Sequence, residues 1–364
     1  MLKRMKPNKA PGPDWICERL LKSCCSQLAG VFCHLFNRSL SEHSIPSLWK
    51  SSIICPVAKQ SNPTCDNDYR PVALTSLVMK GFERLILSQL REEVSMHADP
   101  LQFAYKQHRG VDDAVLTLLH GAYTHLEKPK SFIRLVFVDF SSAFNTVQPH
   151  LMGRKLLWMD VNPHLILWIL SFLINRVNGH LSSSRSVSTG APQGSVISPV
   201  LYTLYTDDCR STNPGITYIK YCVDTVIMDT TNTPGQLQAE MDIFAEWCRR
   251  NCLDLNPSKT KEVVVDFRKN PTIIPTLSVN NLLVERAESY RYLGTIIDHR
   301  LTFQSNSETI FSKCQQRLFF LRKLRRLQVH QSVLTAYYKC FIESVITFNI
   351  SACSVHYQTS IATH

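Results

Sequence analysis

The chain has 364 residues, 44% hydrophobic and 19% charged, which excludes a disordered polymer and allows one large enzyme domain or two to three smaller ones. Its formal net charge of +11 points to a polyanionic partner, nucleic acid or an anionic membrane, beside the plainer reading of a basic globular protein. Thirteen scattered cysteines without a paired framework suit free thiols in a reducing compartment, and Cys248 and Cys252 lack a second pair for a zinc site. No apolar segment follows the basic N-terminus, and the longest apolar run, LILWILSFLI at 165–174, is about half a membrane span. A soluble intracellular protein with no membrane partner is expected; the short basic start does not choose between nucleus and cytoplasm.

In chain order, residues 1–50 have helical spacing of apolar positions, and SIICPVAK at 52–59 and YRPVALTS are strand patterns around a polar loop. An amphipathic helix is predicted from Leu77 to Glu93. Asp112 and Asp113 stand where N-caps of the next helix belong. RLVFVDF at 134–140 is an almost unbroken apolar strand, the kind buried inside a sheet, with Asp139 closing its apolar stretch. Asn162–Pro163 and Ser198–Pro199 each read as a cap followed by proline at the first helical position.

TYIKYCVDTVIMD at 217–229 is rich in β-formers; it reads either as one buried strand or as a hairpin with residues 222–225 at its tip. KEVVVDF and YRYLGTIID are further strands, and the pattern is helical again from Ser305 to Ile350. The Ser-rich patch at 182–186 is loop-sized. Strands and helices interleave without a regular βαβ rhythm, which predicts an α+β fold.

Three stretches invite chemistry. Asp207 and Asp208 close a Y-x-D-D string, but it lies at the end of the Ser198 helix, whereas a carboxylate pair for metal needs a strand–turn–strand, so it is read as a decoy. The TGAPQGSVISP segment at 189–199 offers glycines and a helix N-terminus to a ligand, or is a plain loop. CQQRLFFLRKLRRL at 314–327 interleaves Arg317, Arg322, Lys323, Arg325 and Arg326 with Leu318, Leu321 and Leu324; it suits phosphates, and equally a solvated helix face.

Taken in order, these pieces resemble the reverse transcriptase of a non-LTR (LINE-type) retrotransposon over nearly the whole chain. NKAPGPD at 8–14, CPVAK and NDYRPVALTS resemble its fingers, LQFAYKQHRGVDDAV at 101–115 the segment that follows, VFVDFSSAFNTV motif A, STGAPQGSVISP motif B, LDLNPSKTK motif D and YRYLG the primer-grip motif E. The resemblance implies a right-hand polymerase: fingers over 1–130, an antiparallel-sheet palm with motifs A to E over 131–300, and a helical thumb over 301–364.

It also implies roles. Asp139 and Asp224 would be metal ligands and Lys259 would sit near the leaving pyrophosphate. Lys59 and Arg70 would grip the triphosphate, Phe144 would be the steric gate, and Gln193 and Gly194 would lie beside the template–nucleotide pair. Arg317, Arg322, Lys323, Arg325 and Arg326 would hold the duplex. The implied partners are an RNA template, a DNA primer and deoxynucleoside triphosphates, and the implied cofactor is a pair of Mg²⁺ ions, which clamp the attacking and leaving oxygens.

The departures matter as much. Where the family writes F/Y-A-D-D, this chain writes Tyr221-Cys222-Val223-Asp224, so the first carboxylate is a valine. Loss of one metal ligand is expected to cost about a thousandfold or more in rate. Trp15 stands where the family has glycine, about five residues are short after Arg176 with loss of a palm-side strand expected, and the SACSVHYQTSIATH ending lacks the usual tryptophan. The start inside the fingers, with no endonuclease domain upstream, is read in the same way. A decayed copy is expected: an impaired polymerase, or a non-catalytic nucleic-acid-binding remnant.

Overall fold

Ser51–Ala58 (β1) and Tyr69–Thr75 (β2) form an antiparallel hairpin in which Val57 faces Arg70 and Ala58 faces Tyr69. The computed structural model describes residues 2–5, 10–174, 176–179, 185–270, 273–348 and 350. The start of the NKAPGPD motif, most of the Ser-rich patch and the ending from residue 351 lie outside the described residues.

Around this hairpin run α1 (Cys25–Ser41) and α2 (Leu77–Glu93), followed by α3 (Val111–Leu126), β3 (Phe132–Val138), α4 (Pro149–Trp158) and α5 (Pro163–Leu173). Next come β4 (Arg176–Gly179), β5 (Arg185–Val187), α6 (Ser198–Tyr205), β6 (Ile216–Tyr221), β7 (Asp224–Asp229) and α7 (Gln236–Arg250). The chain continues through β8 (Lys261–Asp266), β9 (Glu285–Arg286), β10 (Ser289–Tyr292), β11 (Thr295–Asp298), α8 (Gln304–Arg326) and α9 (Gln331–Tyr337). The fold is a mixture of helix and sheet, consistent with α+β. Among the described residues no helix is long and apolar enough to cross a membrane.

These elements divide into two compact units, residues 1–100, 140–208 and 247–254 in the first and the remainder in the second. The first unit has a four-stranded sheet in the order β2-β1-β4-β5. The loss of a strand after Arg176 is therefore corrected: a short β4 still pairs in parallel with β1, Ser51 facing Val177, and β5 pairs antiparallel with β4. Four residues suffice because the exposed edge of β1 supplies the hydrogen-bond partners.

Aromatic packing fills this unit. Phe82 of α2 stacks on Phe36 of α1 at 4.2 Å and meets Trp168 of α5 edge-on at 4.9 Å, and the Trp168 indole donates to the Ser39 hydroxyl. Burying a side chain such as Phe82 contributes about 2–3 kcal/mol. At the start of the chain, a Cβ on Gly12 would lie 2.5 Å from the Ser76 nitrogen, so the backbone there passes too close for any side chain.

In the second unit the sheet order is β9-β8-β3-β7-β6, with β3 at its centre, as the apolar run at 134–140 predicts. Val115, Leu118, Leu119 and Ala122 of α3 pack in one core with Leu135, Phe137, Val226 and Met228 of the sheet. Glu262 is wholly buried between Arg134, 2.6 Å away, and Arg286, 3.0 Å away, which ties β3, β8 and β9 together.

Two capping expectations are corrected. Helix α3 begins after Gly110, and the Asp113 carboxylate reaches back to accept from the Gly110 N–H at 2.6 Å. Asp112 and Asp113 thus lie in the first turn, where their charge favours the helix dipole. Ser198 is the first residue of α6, not its cap; Ser195 accepts from the Ser198 N–H, while buried Glu83 accepts from the Val196 and Ile197 N–H groups. Asn162 does cap α5, accepting from the His164 N–H.

Candidate active site

The strand-or-hairpin question at 217–229 resolves as a hairpin. β6 and β7 are antiparallel, Tyr221 faces Asp224 as the last pair, and Cys222 and Val223 form the loop. Cys222 takes a φ of 59°, in the left-handed region that disfavours residues with a Cβ. Gln102, buried to 2% exposure, braces the loop: its side-chain oxygen accepts from the Cys222 and Ala104 N–H groups, both at 3.0 Å.

β7 also pairs with β3, Val138 facing Thr225. One step beyond that pair the register sets Asp139 against Asp224, on the sheet face that carries Phe137 and Val226. The Asp139 N–H donates to the Thr260 hydroxyl and its carbonyl accepts from the Asn256 N–H, so the 256–260 turn that bears Lys259 holds its backbone.

The electrostatics follow from this crowding. Surrounding protein pushes the Asp139 carboxyl up, while the charge of Lys259 pulls it down. At Asp224 partial desolvation pushes the carboxyl up and the negative charge of Asp139 adds to it. Burial also raises Tyr290, which stacks on Phe137 at 4.2 Å, with the charges of Asp224 and Asp139 contributing. The Cys222 thiol is pushed up to about 11, chiefly by burial, and stays neutral at pH 7.

As a donor set for divalent ions, Asp139 and Asp224 provide two carboxylates, and Val223, in the loop next to Asp224, provides none. Among the described residues no group of three or more His, Cys, Asp or Glu side chains comes together. The residues do not fit a two-ion centre.

The first unit gathers another set. A Cβ on Gly194 would lie 2.6 Å from the Ala73 carbonyl oxygen of β2, and the Ala73 N–H donates to the Gln193 carbonyl at 2.6 Å. The Ala191 N–H donates to the Phe144 carbonyl at 2.7 Å, and the Phe144 ring packs on Tyr202 of α6. The Gly–Pro segment is thus clamped between the Phe144 loop and β2. The β1–β2 register puts Lys59 and Arg70 on one face at one end of their hairpin, because Lys59 is two residues beyond Val57, the partner of Arg70. Asp68 braces that end, its carbonyl accepting from the Lys59 N–H and its carboxylate from the N–H groups of Thr64 and Cys65.

The Y-x-D-D string at 205–208 begins on the last residue of α6 and runs past its end. Asp207 accepts from the Asp99 N–H and Asp208 pairs with Lys155, so each carboxylate has a structural partner. On α8, Arg322, Lys323, Arg325 and Arg326 are exposed, whereas Arg317 donates to the Phe341 carbonyl. Cys248 is buried and Cys252 exposed. Gln102 and Glu83 were the residues that pattern reading passed over; Gln102 stands inside the quoted LQFAYKQHRG segment, while Glu83 carries no local signal.

A profile of the family described as reverse transcriptase (RNA-dependent DNA polymerase) matches residues 57–297. The chain belongs to the reverse transcriptase family. Within it, this chain is 27% identical over 330 residues to the RNA-directed DNA polymerase from mobile element jockey of Drosophila melanogaster, covering 85% of this chain and 36% of that protein. The jockey polymerase of Drosophila funebris is 27% identical over 99% of this chain and 41% of its own length. The probable RNA-directed DNA polymerase from transposon BS of Drosophila melanogaster is 25% identical, over 92% and 38%. These relatives support a LINE-type reverse transcriptase domain, and the chain spans about four-tenths of their length. A second profile, the N-terminal region of alkylated DNA repair protein alkB homolog 8, matches residues 303–344.

Proposed function

We propose that this reverse transcriptase domain descends from an RNA-directed DNA polymerase of a retrotransposon, and that its polymerase chemistry is severely impaired. The observation that carries this reading is the hairpin tip: a fully paired ladder ends at Tyr221 and Asp224, and the residue before Asp224 is Val223. The scaffold that aims a carboxylate pair is kept and half of the pair is gone. Family membership supports a right-hand arrangement, with fingers over 1–130, palm over 131–300 and thumb over 301–364. It also supports an RNA template, a DNA primer and deoxynucleoside triphosphates as partners.

The remaining residues keep their parts in this reading. Asp139 and Asp224 are the surviving carboxylates and Lys259 the cation beside them. Lys59 and Arg70 are oriented for a triphosphate. Phe144, Gln193 and Gly194 form the wall against which a nucleotide would be set, and the α8 cations face a nucleic-acid backbone.

Primer extension on a primed RNA template with Mg²⁺, comparing the chain as written with Val223→Asp, tests the proposal. Extension by the revertant alone, about a thousandfold above the chain as written, is the expected result. Equal extension by both sinks it. The exposed cations of α8 favour a second reading, a non-catalytic nucleic-acid-binding remnant. Salt-sensitive binding to an RNA–DNA duplex with no extension by either chain would favour that one.

A further inference from the structure

One face of the first unit carries a cavity of about 400 Å³ that shares no residue with the proposed polymerase site. Its floor is Lys155 of α4, whose ammonium lies 2.5 Å from the Asp208 carboxylate and over the rings of Tyr205 and Trp247, at 5.3 and 5.2 Å. The Lys155 side chain is only 12% exposed, so the floor is fixed. Around the rim stand Arg154, Arg250 and Trp158. Arg154 and Trp158 are four residues apart on α4 and therefore share a helix face. Trp158 is 67% exposed, unusual for the largest apolar side chain.

The lining carries three cations and one carboxylate; Lys155 and Asp208 are spent on each other, and the exposed guanidinium of Arg154 supplies the charge that favours an anion. Guanidinium groups match the planar oxygen edges of a phosphate. The Trp158 indole, 67% exposed with the tilted His97 ring 5.9 Å away, offers a stacking platform, and base–aromatic stacking is sequence-tolerant and worth about 1–3 kcal/mol. The volume is at the small end of ligand cavities, which run to roughly 1,000 Å³, and suits one nucleotide rather than a helix or duplex.

We infer that this cavity binds a nucleoside phosphate, the base stacked on Trp158 and the phosphate held by Arg154. The nucleotide is either one unit of a single strand or a free mononucleotide. The inference is independent of Val223 and of whether the chain polymerises.

The test is ¹⁹F NMR of the full chain labelled with 5-fluorotryptophan, which has five resonances, with Trp158 assigned by the loss of its signal in Trp158→Phe. Adenosine monophosphate and a deoxyadenosine tetranucleotide are titrated separately. The Trp158 resonance is expected to move, and Arg154→Glu, an exposed substitution that spares the core, to weaken the response about tenfold. Tighter binding of the tetranucleotide identifies a strand as the source; equal binding identifies the free nucleotide. A Trp158 signal unmoved by both probes, equally responsive in Arg154→Glu, or moved as readily by a tetraglutamate peptide overturns the assignment.

Discussion

Asp139 and Asp224 are set opposite each other by the antiparallel register of β3 and β7, one step past the pair of Val138 and Thr225. Their alignment is a property of the sheet and does not depend on the residue at 223.

In a Val223→Asp chain, further replacement of Asp139 by Asn should return primer extension to background, a loss of about a thousandfold. The same Asp139→Asn change in the chain as written should leave its extension unaltered. Steady-state extension assays on the four chains decide this, and survival of activity without Asp139 would remove it from the site.

Gln102→Leu keeps the volume but removes the acceptor shared by the Cys222 and Ala104 N–H groups. Leaving one buried and one half-buried donor unpaired should cost about 2–4 kcal/mol. Urea unfolding reads the loss, and amide exchange at Cys222 should speed up. An unchanged midpoint would show that water takes over both bonds.

Trp15 has a φ of 54° and is 77% exposed, so its side chain contributes little packing while its backbone is strained. Trp15→Gly is expected to stabilise the chain by about 1 kcal/mol, seen as a higher Tm. A fall in Tm would mean that the indole makes contacts that outweigh the strain.

The Thr64 and Cys65 N–H groups hold the Asp68 carboxyl down to about 2 from its ordinary 3.8. A depressed carboxyl stabilises the fold above its unfolded value and loses that contribution as pH falls through its folded value. Asp68→Asn should therefore lower Tm at pH 6, and the gap to the native chain should close as pH falls from about 4 towards 2. A gap independent of pH would point to lost packing and not lost charge.

Replacing Arg322, Lys323, Arg325 and Arg326 together by Gln should weaken binding to an RNA–DNA duplex. The slope of log affinity against log salt should flatten by roughly 3, at about 0.7–0.9 per phosphate contact. An unchanged slope would assign these cations to solvent.

Most of the fold could be read from the chain because its signals were local. The bounds of α2, the burial of β3 and the cap at Asn162 follow from apolar period, β-former runs and one side-chain oxygen. The misplaced caps at Asp113 and Ser198 have a common cause, since the atoms that satisfy those helix starts come from a residue three positions away or from Glu83, over a hundred residues distant. The carboxylate pair was legible only through resemblance, because pattern alone could not tell a hairpin at 222–223 from a continuous strand. No periodicity marks a two-residue turn formed by cysteine and valine. The short strand at 176–179 escaped notice because its stability comes from the edge of β1 and not from its own composition.

The register of β7 between β3 and β6 constrains how such a chain can change. Side chains alternate faces along a strand, so an insertion or deletion of one residue within 224–229 would swing Asp224 away from Asp139 and drive apolar partners such as Val226 and Met228 out of the core. Substitution at the loop does none of this. Drift in length is closed to this segment while drift in letters at its tip is open, and the proposed loss of a carboxylate at Val223 is of the second kind.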